Sequence, residues 1–569
     1  MLKKWISILL CATLLIATVS FCICAENDEL PLLITSDMHY IPTPSQAQNN
    51  FPGSKYYCAS DSTNLCVESE AIMKQFLRQA AQSEAQIILI SGDMVDDGTV
   101  EHHESLIRIL RDFENRTGKQ IYVINGNHDF LSGISMDTFK SLYADFGYSE
   151  ALTVDPNTCS YTADLTGKYR LLALDTCNHI NGADGVTAEL LDWADAQAAQ
   201  AQADGRELIV MMHHNFLEHM ALQSVLLSKY IISPKWNMKN RLLQWGVRYV
   251  FTGHQHGHDV TSYTDSRTNQ RVFDIMTTSL TAYPCAYRTG VLSESGLELQ
   301  TQRISGVQRE DLPRDGYTPE LLQELTTELD TYAYGCFSMI FFARKQTFFS
   351  AGAVGEIVAR LHVPALTDLA NAYFPTFFAY FDTPIYKKDA GEGVSLEKLA
   401  DGLGLKLPQS NFRTISDLLF HFIAIYYYGD EALPYTDPQI NLFMQCAYTV
   451  LYTSLRDVSA AEKSSLLSDI RHNFKTDALP FVVTKFGQTL VGAARDECVL
   501  QIVIVTLSPM IEMFSQDDGL ADNDVFLPAE DEAPSTAVQF ILHIIERIVH
   551  FFLRYVNGLN RLAAMYTLR

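Results

Sequence analysis

Gln120-Ile-Tyr-Val-Ile-Asn-Gly-Asn-His-Asp129 decides how the first half of the chain is read. Residues 120–124 are a short apolar run of the kind that makes a buried strand. The run ends in Gly126-Asn127-His128-Asp129, where a glycine permits a tight turn and three side chains able to bind a cation follow. The same arrangement recurs on both sides. Pro31-Leu-Leu-Ile-Thr-Ser36 leads into Asp37-Met38-His39, and Gln86-Ile-Ile-Leu-Ile90 leads into Gly92-Asp93. Leu208-Ile-Val-Met-Met212 leads into His213-His214, and Arg248-Tyr-Val-Phe-Thr252 leads into Gly253-His254-Gln255-His256. Between these runs, residues 67–82, 101–115, 188–203 and 239–245 have helical periodicity. Alternation of this kind predicts an α/β layered domain from about Leu30 to Ile304. Ligands in open α/β sheets bind beyond the carboxyl ends of the strands, so five distant segments would converge there.

Each segment alone is weak, because a lone Gly-Asp or His-x-His is usually bland. Together, in the order D-x-H, G-D, G-N-H-D, H, G-H-x-H, they resemble the calcineurin-like metallophosphoesterase superfamily across residues 30–304. The resemblance implies a β-sandwich layered by helices, with metals at the sheet edges. It implies that Asp37, His39 and His256 hold one metal, that Asn127, His213 and His254 hold a second, and that Asp93 bridges both. It implies that His128 assists the leaving group and that Asp129 orients the His128 ring. His213 and His214 compete for one ligand place. Asn215 stands two residues after His213, where the family commonly has Pro, and this selects His213, with His214 lining the pocket. Purple acid phosphatases carry an iron-binding Tyr three residues after the bridging Asp. This chain has Asp96 there, which favours a colourless pair of divalent ions, Mn, Zn or Fe.

The residue types suit phosphate-ester hydrolysis. A bridging carboxylate can hold two ions ~3.5–4 Å apart, the spacing at which both clamp one phosphoryl group. Water between them would be deprotonated near neutral pH and become the nucleophile. Other polar residues carry less signal. His102 and His103 read as solvated at a helix start. Asp175 and His179 read as turn residues, His258 as a possible substrate contact, and His219 carries no assignment. The polar loop from Tyr40 to Asp61 is either a lid that sets substrate choice or a plain insertion.

The chain has 569 residues, enough for two or three domains. Its formal net charge of -25 disfavours general nucleic-acid binding. Lys3 and Lys4, an uncharged run from Trp5 to Ala25 and the polar Glu26-Asn27-Asp28-Glu29 read as an export signal (1–25), with an uncleaved anchor as the alternative. A secreted or surface location follows as an expectation. It allows disulfides, and Cys58–Cys66 and Cys159–Cys177 are the feasible pairs, against the alternative of free buried thiols.

From Thr318 the texture changes to aromatic-rich helical stretches, which predict a mostly α-helical C-terminal domain over 318–515 without catalytic ligands. Residues 516–534 are acidic and read as a solvated linker. Residues 535–569 read as an amphipathic helix with a basic stripe at His543, Arg547, His550, Arg554 and Arg561. It suits either the protein core or peripheral contact with an anionic membrane. The sequence thus supports a secreted di-metal phosphodiesterase or phosphomonoesterase. The competing reading is a catalytically inert surface binding protein built on the same domain. Retention of the seven ligand positions and His128 argues against it.

Overall fold

The computed structural model describes residues 29–42, 63–177, 185–220, 223–312, 317–348, 378–429, 437–473, 495–503 and 520–530, together with 356, 359, 367–368 and 433. The expected export signal, most of the 40–61 loop, Cys58, His179 and the expected C-terminal helix lie outside the described residues. No helix among the described residues is long and apolar enough to cross a membrane.

Two mixed sheets form the first half. One has six strands in the order β13-β12-β11-β1-β2-β3. Here β1 is Leu30–Thr35, β2 Ile87–Ile90, β3 Gln120–Val123, β11 Ala286–Leu292, β12 Gly296–Arg303 and β13 Asp524–Pro528. The other has seven, in the order β4-β5-β6-β7-β8-β10-β9. These are β4 Thr153–Val154, β5 Tyr161–Asp164, β6 Tyr169–Leu174, β7 Glu207–Met212, β8 Tyr249–Thr252, β9 Asp259–Thr264 and β10 Arg271–Met276. In each sheet the strands that lead into the ligand-type residues run parallel: β1 with β2 and β2 with β3, then β7 with β8.

Side-chain alternation explains the layering. On β7, Ile209 and Met211 face the other sheet and join the core that holds Leu32, Ile88 and Ile90. Leu208, Val210 and Met212 point the opposite way, with Leu190, Leu191 and Ala194 of the helix Ala188–Ala203. Both faces are apolar because both are covered, as parallel strands require. The outer face of the first sheet is covered by α1 (Ser69–Gln82) and α2 (Val100–Thr117), through Phe76, Leu106, Leu110 and Phe113. The result is a helix–sheet–sheet–helix α/β sandwich followed by helices.

The expected boundary near residues 304–318 does not separate two cores. Two further helices, α3 (Pro319–Thr327) and the following α4 (Leu329–Phe348), contribute Leu321, Leu325, Leu329, Tyr332 and Cys336 to the core of the first sheet. A second core lies further on, where α5 (Ile415–Tyr428) and α6 (Pro438–Leu455) pack Leu418, Phe422, Phe443 and Val450 together.

The acidic segment is not simply a solvated linker. Residues 524–528 pair antiparallel with β12, from Gly296↔Pro528 to Gln300↔Asp524. Its acids are used locally: Asp522 accepts from Val260 N at 2.8 Å and Asp524 from Thr301 N at 3.1 Å. The Tyr249 hydroxyl donates to Leu527 O at 3.0 Å. The helical region is therefore an insertion between two strands of one sheet. A chain ending near residue 304 would lose β13 and uncover the apolar face that α3 and α4 bury. We expect it to be insoluble on expression. A soluble, monomeric, metal-binding product would show that the first half folds alone.

Cys159 and Cys177 are free and buried. The Asp175 carboxylate binds both backbones instead, accepting Cys159 N at 3.0 Å and Cys177 N at 2.9 Å. The Cys177 thiol turns to the Asn125 carbonyl at 3.7 Å.

Candidate metal centre

The carboxyl ends of β1, β2, β3, β7 and β8 meet at one edge of the sandwich, and the chain turns sharply there. Among the described residues eight non-glycines have positive φ, and five of them are Asp37, His39, Asp93, His254 and His256. Backbone held in that region costs ~1–3 kcal/mol per residue and persists where surrounding contacts enforce it. The turns are tied together: Asp37 N donates to Gly92 O, His39 N to Asp93 O and Gly253 N to His213 O, each at 3.0 Å. Gly92 has φ 101°, and a Cβ there would lie 2.5 Å from His213 Nδ1. No larger residue fits before Asp93.

Among the described residues three groups of side chains lie close enough to hold a cation: Asp37, His39 and His256; Asp93, His213 and His254; and His39, Asp96 and His128. In the first, His256 Nε2 is 3.2 Å from Asp37 Oδ1, and the two Nε2 atoms of His39 and His256 are 3.1 Å apart. In the second, His213 Nε2 is 3.3 Å from Asp93 Oδ2 and 3.2 Å from Asn127 Oδ1. Asp93 Oδ2 also lies 3.7 Å from His39 Nε2, between the two groups. Its other oxygen accepts His128 N at 2.7 Å.

The residues fit a pair of bound cations. Asp37 Oδ1 is buried without a hydrogen-bond donor aimed at it in well-formed geometry. Imidazole nitrogens that converge on each other and on such a carboxylate need a proton or a metal ion between them. Burial alone would lower the His39 imidazole, but the carboxylates of Asp37 and Asp96 beside it outweigh that and hold it at about 10. Burial likewise opposes protonation of His213, and the charges of Asp93 and Asp37 raise it to about 9. His254 goes the other way, to about 3, through burial and then the charge on His213, so it presents a neutral ring. His254 Nε2 faces the Lys229 carbonyl at 3.3 Å, which leaves Nδ1 for a ligand.

A pH dependence follows. The folded His39 and His213 values lie above the ordinary 6.5, so their stabilisation is complete below pH 6.5. It is lost as pH rises through about 9 and 10. Metal must displace those protons, so its affinity grows over the same range. We expect the melting temperature of chelator-treated protein to fall between pH 6.5 and 10, with added Mn restoring most at the alkaline end. Calorimetry that shows a flat or rising apo profile would contradict this.

Of the adjacent histidines, His213 points into the second group, and its Nδ1 is fixed by Ser91 O at 2.8 Å. His214 is buried behind it, where Nδ1 meets Thr176 Oγ1 at 3.0 Å. The expected orienting contact from Asp129 is absent. Its carboxylate accepts Gly126 N at 2.8 Å and Val95 N at 3.2 Å, and so braces the turn. Residues 128–130 form a 3-10 turn, in which successive side chains diverge by about 120°. His128 Nδ1 instead meets the Asp96 carbonyl at 2.6 Å. Asp96 also reaches His39 Nδ1 with its own Oδ1 at 3.1 Å. Nothing in the sequence beyond the absence of a Tyr at position 96 points to this role for Asp96. Its place three residues beyond Asp93 was the available signal.

Four other described histidines make structural contacts. His103 is not solvated; Nε2 meets Asp129 O at 2.9 Å, and burial lowers the ring to about 4. His102 is buried and pairs with Asp97 at 2.8 Å. His258 is buried against Thr301 Oγ1 at 2.7 Å. His219 bonds Asp259 at 2.7 Å.

Fold and site together define a metallophosphoesterase. Residues 30–258 match the model of the calcineurin-like phosphoesterase family. This is an enzyme domain for metal-dependent hydrolysis of phosphate esters. No curated protein matches the chain. Among solved structures, a dimetal phosphatase from Danio rerio is similar at 13% identity over 48% of this chain and 96% of that one, with a TM-score of 0.37. A purple acid phosphatase from yellow lupin (Lupinus luteus) seeds is similar at 12% identity, 51% and 56% coverage and a TM-score of 0.32.

Proposed function

We propose that the protein is a secreted or surface hydrolase of phosphate mono- or diesters. In this reading Asp37, His39 and His256 would hold one divalent ion, Asn127, His213 and His254 would hold the other, and Asp93 would serve both. The observation that carries it is the position of Asp93 Oδ2, within 3.7 Å of His39 and 3.3 Å of His213, at the junction of the two groups. Bound divalent ions would supply positive charge for the phosphoryl oxygens and make water acidic enough to attack.

The chain's own groups do the rest. The Asp96 carbonyl only accepts, so His128 Nδ1 carries the proton and Nε2 is left for the substrate side. The His128 side chain is 33% exposed while the flanking Asp93 is buried, so it borders the space where an ester would enter. Protonated there, it can donate to the departing oxygen. Asp96 touches both His39 and the His128 turn, and so supports a ligand and the acid together.

The test is turnover of aryl and alkyl phosphate mono- and diesters by the mature chain reconstituted with Mn, Zn or Fe. Hydrolysis of one ester class, abolished by chelation and restored by one of these ions, supports the proposal. Tight metal binding without turnover of any ester would favour the inert surface binding protein. Recovery of the protein only from the cytoplasm would remove the export part. Liposome flotation with and without residues 535–569 tests peripheral membrane contact.

A further inference from the structure

One side of the candidate centre is an aromatic rim that the phosphoryl chemistry leaves unused. The His254 ring lies between two others. Buried His214 is 4.3 Å away, and Tyr230 is 4.9 Å away with its plane tilted by 33°. Tyr230 is 39% exposed, so its far side is open to solvent. The loop that carries it is tied at both ends. Lys229 O faces His254 Nε2 at 3.3 Å, Tyr230 N donates to Leu227 O at 2.8 Å, and Ile232 N donates to Asn215 O at 2.8 Å.

The inserted helical region backs this rim. Tyr427 of α5 packs on Phe337 with centroids 4.9 Å apart. Its phenol is pushed up to about 12 by burial and then by neighbouring Tyr230. Tyr426 covers Gly257, between His256 and His258, so closely that a Cβ there would come within 2.9 Å of its ring. The end of α5 thus presses on the loop that bears the ligand-type histidines. Lys229 is exposed, and among the described residues its ammonium has no carboxylate within ion-pair distance. In a chain of net charge -25 it is a cation carried on the backbone that borders His254.

We propose that Tyr230, with Lys229 beside it and α5 behind, is the wall that recognises the non-reacting part of the substrate, and that this part is a flat aromatic group such as a nucleobase or an aryl ring. The inference rests on the phosphate-ester reading above. A phosphate held between the two ligand groups, with its departing oxygen toward His128, leaves the far end of a long ester substituent free to reach this rim on the His254 side. A ring stacks on the open side of Tyr230 and gains from contact with its whole face, whereas a short polyol gains little. Tyr230 is a specificity-determining residue here, not a catalytic one.

The experiment compares matched substrates that differ only in the base. Adenosine 5'-monophosphate is set against ribose 5-phosphate, and their methyl esters serve as the diester pair. The metal-loaded wild type is expected to favour the base-bearing member of the pair it hydrolyses by roughly tenfold or more in kcat/KM, mainly through KM. Tyr230→Ala should bring that ratio toward one, and Tyr230→Phe should keep it. Metal content is measured in every variant. A wild type with no base preference, a Tyr230→Ala that lowers both members equally, or one that loses metal would overturn the proposal, the last by showing that the ring only supports His254. A metal-loaded wild type that hydrolyses no ester at all would sink the phosphate-ester reading itself.

Discussion

His128→Ala should lower turnover by ~10²–10⁴-fold while both metals stay bound, the loss typical of a removed general acid. The geometry separates the two effects. His128 touches Asp93 through its backbone N, which Ala retains, whereas its ring contacts the Asp96 carbonyl and the edge of His39. Removing the ring therefore removes the donor without removing a side chain of the Asp37 or His213 groups. The loss should shrink along a series of better leaving groups, since a nitrophenolate needs no proton to depart. Equal losses across that series would mean that His128 positions substrate and does not assist departure.

Asp93→Asn should abolish tight binding of both metals. Changing groups that merely support metal ligands already costs ~10–100-fold in affinity or activity. Asp93 is more central. It is buried between His39 and His213, and its charge contributes to the raised values of both rings. Asn keeps an oxygen for His128 N, so the turn should survive, but the negative charge shared by the two groups is gone. Buried histidines left without that charge would titrate lower, and the alkaline loss of apo stability should move to lower pH. Elemental analysis that finds two tightly held ions in Asp93→Asn, with normal turnover, would refute the bridging role.

The strand ends were legible because buried parallel strands leave continuous apolar runs, and the ligand-type residues follow them directly. That pattern placed Asp37, Asp93, Asn127, His213 and His254 near one another before any coordinates. Four features escaped for physical reasons. His128 and Asp129 are adjacent in sequence, yet a 3-10 turn sends one toward the opening and the other into the core. Asp96 contacts His39 only through the fold of the β2 turn, which composition does not encode. The strand Asp524–Pro528 does alternate, with Val525 and Leu527 more buried than Asp524 and Phe526. The acids around it hid that signal, because their partners Val260 N and Thr301 N are more than two hundred residues away. The burial of His103 was lost in the same way. Its partners, Tyr143 and the Asp129 carbonyl, come from separate elements.

Anomalous diffraction from crystals of the full chain grown with Mn tests the central claim most directly. The account predicts two peaks ~3.5–4 Å apart. One should lie among Asp37, His39 and His256 and the other among Asn127, His213 and His254, with an Asp93 oxygen between them. A single ion, or a pair held by His39, Asp96 and His128 with Asp93 uninvolved, would contradict it.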